Sequence, residues 1–217
     1  MQRLIAGTLV WLGLAIWDGA RPAQAHPHSW IDLEVSVLFD GEGRATGLRQ
    51  IWLFDEYYSA FALEGFDRDG DGAPDQALVE GLITEMVGNL ADYQYFTEAT
   101  LGGEAVALGR ALPQGACLTE NRLEMTVEVP FATPQPVAGR PLRYAVYDPT
   151  YYIEILHSDG PASIRLEAAP AGCAATLEEP APPPEFETLA AALDRNQTAG
   201  DTLGQHFAEW VNIACGP

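Results

Sequence analysis

Ser29-Trp30-Ile31-Asp32-Leu33-Glu34-Val35-Ser36-Val37-Leu38-Phe39 sets Ile31, Leu33, Val35 and Val37 against Asp32, Glu34 and Ser36. Alternation with a period of two is the pattern of a strand that buries one face and wets the other. Asp40-Gly41-Glu42-Gly43 supplies a tight turn, and Ala45 to Phe54 returns as a second β-rich run. Two such runs joined by a turn predict a hairpin.

Beyond this hairpin the pattern changes twice. Glu56 to Glu64 reads as a short helix and Gln76 to Leu90 as a longer one, with the acidic stretch Asp67 to Asp75 between them. The β signal resumes at Tyr95–Leu101, Glu104–Leu108, Arg122–Phe131, Leu142–Tyr147, Tyr151–His157 and Ser163–Glu167, separated by Gly and Pro turns. Short strands at that spacing predict a sandwich or an open barrel. Residues 179–185 form a Pro-rich linker, and the tail 186–217 is expected to be helical over Phe186–Asp194 and Thr202–Trp210, around a turn at Asn196–Gly200. The expected fold is α+β: a β-rich, sandwich-like body with a helix-loop-helix insertion over about 56–91 and a helical C-terminal tail, making one domain over 26–217.

Composition restricts the chemistry. The chain has 217 residues, 47% hydrophobic and 19% charged, which suits a single core. All 11 basic residues are arginines, so reactions that need a lysine, such as Schiff-base chemistry or a Gly-Lys-Ser phosphate loop, are excluded. The formal net charge of -20 repels phosphate backbones and anionic lipid. Cations are the natural small partners. The chain also lacks Gly-x-Ser-x-Gly, His-Glu-x-x-His, Cys-x-x-Cys and a dinucleotide fingerprint, which argues against hydrolase and zinc-protease readings.

Residues 1–25 read as a secretory signal peptide: Arg3 begins it, an apolar run follows from Leu4 to Trp17, and Ala23-Gln24-Ala25 is a small-x-small cleavage site. The apolar run is shorter than the ~20 residues that cross a bilayer. An exported, periplasmic chain meets an oxidising compartment, where Cys117, Cys173 and Cys215 permit one bridge and one orphan. Cys173 follows Pro170-Ala171-Gly172 and Cys215 lies beside the C-terminus, so a Cys173–Cys215 bridge would tie down a tail that otherwise frays. Cys117 is expected in a Gly-rich loop, as a buried or reactive thiol.

Cleavage after Ala25 makes His26 the terminal residue of His26-Pro27-His28-Ser29-Trp30-Ile31-Asp32. A terminal histidine offers its α-amine and its imidazole to one metal, and a second imidazole would complete a histidine brace. Three nitrogens in a plane suit copper or nickel, whereas a tetrahedral set with a carboxylate suits zinc. Pro27 has no backbone N–H, so amide-deprotonated chelation is closed. The expected ligands are His26, His28 and His157, with Asp32 as a further ligand or as the acceptor for an imidazole N–H. The bland alternative is a frayed tail at His26 and His28 and a strand-end polar residue at His157.

Asp67-Arg68-Asp69-Gly70-Asp71-Gly72-Ala73-Pro74-Asp75 follows the opening of an EF-hand calcium loop. Asp67, Asp69, Asp71 and Asp75 provide carboxylates, Gly72 the sharp turn and Ala73 a carbonyl, but Leu78 stands where a bidentate Glu is expected and Glu80 comes too late. The plainer account is an acidic turn in which Asp75 caps the following helix. Two aromatic clusters, Trp52 to Tyr58 and Tyr147 to Tyr152, read as cross-strand packing, although Asp55, Glu56 and Asp148 within them could serve as oxygen ligands or acid/base groups.

The His-Pro-His-x-Trp-Ile-Asp start after the signal peptide, Phe54-Asp55-Glu56-x-Tyr58, the Asp-x-Asp-Gly-Asp-Gly loop and Tyr147-Asp148-Pro149-Thr150-Tyr151-Tyr152 leading to His157 together define a resemblance. The chain resembles a bacterial periplasmic family of unknown function that is described as the periplasmic component of an uncharacterised ABC-type transport system. His26, His28, Asp32, Asp55, Asp148 and His157 fall on that family's recurring positions. Members are often encoded beside nickel/cobalt-type membrane transporters, so the resemblance implies transition-metal handling. The expectation is a non-enzymatic protein that binds zinc, nickel, cobalt or copper, with calcium as a second cation and a membrane metal transporter as partner. The alternatives are a secreted copper oxygenase built on the brace and a calcium-stabilised interaction protein.

Overall fold

The computed structural model describes residues 27–193 and 200–216. The proposed signal peptide, His26, Asp194 at the end of the expected helix and all of the 196–200 turn except Gly200 therefore lie outside the described residues.

The opening hairpin forms as its alternation requires. Strand β1 (Ser29–Phe39) pairs antiparallel with β2 (Ala45–Phe54), and β2 pairs with the long β6 (Arg122–Gln135). The inward residues Ile31, Leu33, Val35, Leu48, Trp52, Leu123, Met125 and Val127 are all buried. Their outward neighbours carry charge: Arg49 lies between Glu128 and Glu167 at 3.6 and 2.9 Å, and Arg165 reaches Glu34 at 2.7 Å. Strand β5 (Leu112–Thr119) extends the sheet on the β6 side. The free side of β1 is covered by two short parallel partners in succession, β8 (Ile153–His157) and β9 (Ile164–Glu167).

The second sheet runs β10-β11-β7-β3-β4, from β3 (Thr97–Leu101), β4 (Glu104–Ala105), β7 (Leu142–Val146), β10 (Ala174–Glu178) and β11 (Trp210–Ala214). Its inner residues Ala99, Leu101, Leu142, Tyr144, Val211 and Ile213 join the first sheet's inner face in one core. One polar chain crosses this core: Trp52 Nε1 donates to Gln50 Oε1 at 2.8 Å, Gln50 Nε2 to Thr97 Oγ1 at 2.9 Å, and Thr97 Oγ1 to the Tyr95 carbonyl at 2.8 Å. Every member is satisfied, which is the condition for burying such groups.

The insertion is helix, loop, helix, as expected. In α1 (Glu56–Ala62) the Asp55 side chain caps the first turn by accepting from the Tyr58 N–H. In α2 (Gln76–Leu90) Val79, Ile83 and Val87 recur at helical spacing and are buried in the main core. Among the described residues no helix is long and apolar enough to cross a membrane.

Three expectations need correction. The tail is helical only over α3 (Pro184–Ala192) and a single 3-10 turn at Gly204–His206. Of the expected Thr202–Trp210 helix only that 3-10 turn forms, and at Trp210 the chain enters β11, from which Val211 and Ile213 reach the core. Cys117 lies in β5 rather than in a loop. Finally, the expected strand beginning at Tyr95 begins at Thr97 instead: Gln94, Tyr95 and Phe96 all adopt φ near +53, a left-handed turn built without glycine.

The expected Cys173–Cys215 bridge is present. It joins the start of β10 to the residue after β11, next to the Ala174–Ala214 pair. Beside it lies a smaller core of Tyr151, Ala190, Leu193 and Leu203, with Tyr151 stacked on Phe207 at 4.0 Å and Phe186 on His206 at 3.6 Å. Gly204 closes this junction, since any Cβ there would collide with the Asp148 carbonyl.

Candidate functional site

The strand register separates the expected transition-metal ligands. His157 pairs with Leu33 and shares its inward face, so Asp32 points to the opposite, outer face of the sheet. Its carboxylate is held there by Arg122 at 2.8 Å, and the same guanidinium donates to the Leu53 and Phe54 carbonyls. His28 begins the sheet, donating its backbone N–H to the Tyr152 carbonyl while its ring packs on that of Tyr152 at 4.7 Å.

His157 itself is committed inside the core. The side chain is 1% exposed, Nδ1 lies 2.8 Å from Glu209 Oε2, and Nε2 lies 3.2 Å from the Tyr144 hydroxyl. The same Glu209 oxygen accepts the His157 backbone N–H at 2.6 Å. Both ring nitrogens are thus occupied, and His157 is corrected from an expected ligand to a buried tie between the two sheets. Its partners were missed in the sequence because Glu209 lies 52 positions away, in a stretch read as helix. Burial, then the charge of Glu209, push the Tyr144 hydroxyl far above its ordinary value of 10.0, so it remains protonated as a donor.

Two other recurring carboxylates are also structural. Asp55 accepts from Ser29 Oγ, the Trp30 N–H and the Tyr58 N–H, joining the start of β1 to the start of α1. Burial works to raise its pKa, but these hydrogen bonds together hold the carboxyl below its ordinary 3.8. Asp148 is 5% exposed and accepts from the Thr150 N–H and hydroxyl and from the Tyr152 and Ile153 N–H groups. This network supports Tyr151 at φ +58. The free thiol of Cys117 is raised above its ordinary value by burial and, more weakly, by the charge of Glu124, so it is not an activated thiolate.

The acidic loop does converge. Asp67, Asp69 and Asp71 each direct a carboxylate oxygen into a group whose members lie within 4.8 Å of one another, the only such cluster of possible ligands among the described residues. The backbone turns as an EF-hand loop would: Asp67 accepts from the Gly70 and Gly72 N–H groups at 2.8 and 3.1 Å, Asp69 from Asp71 at 3.1 Å, and Asp71 from Ala73 at 2.8 Å. Gly72, at the sixth position, has φ +91. Asp75 accepts from the Arg68 N–H at 3.3 Å instead of capping α2 through its side chain. The loop's base is closed by the Asp75 N–H on the Phe66 carbonyl at 2.8 Å. At the twelfth position Leu78 offers no oxygen, and Glu80 accepts from the Gln76 amide within α2. The donor set is all oxygen, which fits a hard cation such as calcium, and it is one bidentate ligand short.

The family described as "Protein of unknown function (DUF1007)" matches residues 11–215. The chain belongs to this family. An uncharacterised protein from Haemophilus influenzae is 27% identical over 207 residues, covering 94% of this chain and 96% of its own length. An uncharacterised 15.5 kDa protein encoded in the trpE 3' region of Spirochaeta aurantia is 27% identical over 115 residues, covering 52% of this chain and 81% of its own length. No solved structure matches.

Proposed function

We propose that this DUF1007 protein is an exported, non-enzymatic divalent-cation-binding protein that serves a membrane metal transporter. The convergence of Asp67, Asp69 and Asp71 in a loop between two helices carries the reading. Three exposed carboxylates so close together repel one another, and a divalent cation relieves that repulsion while tying α1 to α2. Signal-peptide cleavage would deliver the protein to the periplasm, where calcium is available to a site of modest affinity. The Cys173–Cys215 bridge is compatible with that oxidising compartment.

With His157 and Asp32 committed elsewhere, the nitrogen donors for zinc, nickel, cobalt or copper reduce to the His26 amine and imidazole together with His28. A copper oxygenase brace would have to complete its set from the same two residues, because His206 is stacked on Phe186.

The deciding experiment uses protein secreted with its own leader, checked by mass spectrometry for an N-terminus at His26. Calorimetric titration with calcium should give one site that is lost in Asp67→Asn. Titration with zinc, nickel, cobalt and copper(II) should give a separate site that is lost in His26→Ala. Absence of heat with every metal, or cleavage at another residue together with no calcium binding, would reject the proposal.

A further inference from the structure

A cleft of about 400 Å³ opens between α2 and the chain that leads into β5. Thr84, Val87, Gly88 and Ala91 recur at helical spacing along one wall, from α2 to its C-cap. Ala111 and Pro113 face them. Val87 and Ala111 belong to the main core, so the floor of the cleft is apolar.

Space is left in the middle of the helical wall. Gly88 is exposed in the interior of α2, and a Cβ built there would meet nothing within 4 Å. A glycine inside a helix costs stability relative to alanine. No close approach in this fold requires one at 88.

Charge narrows the ligand class. Arg110 is the only charged residue that lines the cleft. Residues 105–119 contain no Asp or Glu, in a chain that has 31 of them, so no sequence neighbour neutralises it. Among the described residues every other arginine except Arg68 makes an ion pair, and Arg68 stands among the aspartates of the acidic loop. Arg110 makes none. Glu128, the acid across the ladder from Leu112, is engaged by Arg49 at 3.6 Å.

A guanidinium with free donors beside an apolar floor suits a planar, singly charged head, and a carboxylate matches its fork. A phosphate monoester brings close to two charges, which one arginine in a chain of net charge -20 does not balance. The other end of the groove rejects a second carboxylate. An adjoining hollow shares Thr84 and Pro113 with the cleft, and its charged lining residue is Glu80, eight positions and roughly 12 Å along α2 from Gly88.

We propose that this cleft binds a small amphiphilic monocarboxylate, with the carboxylate on Arg110 and the apolar body over Val87, Gly88 and Ala111. The site is independent of the acidic loop and of the mature N-terminus.

The test is an NMR titration of the intact secreted protein, free of metal, with octanoate, octan-1-ol and octanedioate. Octanoate should shift the Gly88, Ala91 and Ala111 resonances saturably. Octan-1-ol has the same tail without the charge and should bind about tenfold more weakly, and octanedioate should lose about as much because its second carboxylate approaches Glu80. Arg110→Gln should weaken octanoate by about tenfold and leave octan-1-ol as it is, a split that general loss of structure would not produce. Gly88→Leu fills the cleft and should abolish binding of both while the melting temperature stays the same or rises. Equal affinity for octanoate and octan-1-ol, octanedioate bound as tightly as octanoate, undiminished binding in Gly88→Leu, shifts located elsewhere, or no saturable shift at millimolar octanoate would each overturn the proposal.

Discussion

Replacing His157 by Ala separates a core tie from a metal ligand. The imidazole makes one hydrogen bond to the Glu209 carboxylate at 2.8 Å and one to the Tyr144 hydroxyl at 3.2 Å, with 1% of its side chain exposed. A bond to a charged group contributes about 1.5–3 kcal/mol and a neutral one about 1 kcal/mol. Truncation also leaves a void and a buried carboxylate with one partner fewer, so the total loss is about 4 kcal/mol. For a chain of this length, each kcal/mol moves Tm by about 2–4 °C, giving a drop of ~8–16 °C. Scanning calorimetry of the oxidised, mature protein measures it. Glu209→Gln keeps one acceptor for the His157 N–H groups and should lose about half as much. Zinc and nickel affinities should be unchanged in His157→Ala. Loss of metal binding with Tm intact would refute the reasoning and restore His157 as a ligand.

Three further outcomes follow from the same geometry. Cys215→Ser releases a loop with a sequence separation of 42; chain entropy alone makes that worth about 4 kcal/mol, which urea unfolding with and without reductant should register. Calcium at about tenfold above its Kd should stabilise the protein by about 1.4 kcal/mol, and the Asp67→Asn, Asp71→Asn double variant should lose that increment while keeping its metal-free Tm. Because the Asp55 carboxyl is held below its ordinary value, its contribution is complete above that value and is lost as pH falls through the depressed folded one. Urea titrations should therefore show a loss of stability below about pH 4 that is smaller in Asp55→Ala. That variant also loses about 1–2 kcal/mol at neutral pH through its missing cap.

Local pattern carried much of the first sheet. The β1 and β2 bounds follow directly from alternation, and α2 begins where Asp75 ends the acidic loop. What failed had non-local causes. Strand β5 contains Pro113 and Gly115 and is exposed on both faces, so as an edge it shows no alternation. Strand β10 is another short edge. For β11, the preceding Phe207-Ala208-Glu209 favours helix locally, while Val211 and Ile213 are claimed by the core. The candidate site divided in the same way. The acidic loop is local and readable, as was the disulfide from its tail-tethering logic. The role of His157 depended on Glu209, and the late start of β3 depended on a left-handed turn at Gln94–Phe96 that no residue there favours. Both are tertiary facts.

The parallel edge of β1 also governs when the protein can fold. Among the described residues β1 is the first strand, yet the partners on one of its sides, β8 and β9, come from the chain's last third. The hairpin with β2 can form early, but the first sheet stays open on that edge until residues 153–167 arrive. The second sheet waits longer still, because β11 lies between β7 and β10. Such long-range closure slows folding. A chain assembled in this order remains threadable until almost all of it has emerged, which suits the export proposed above.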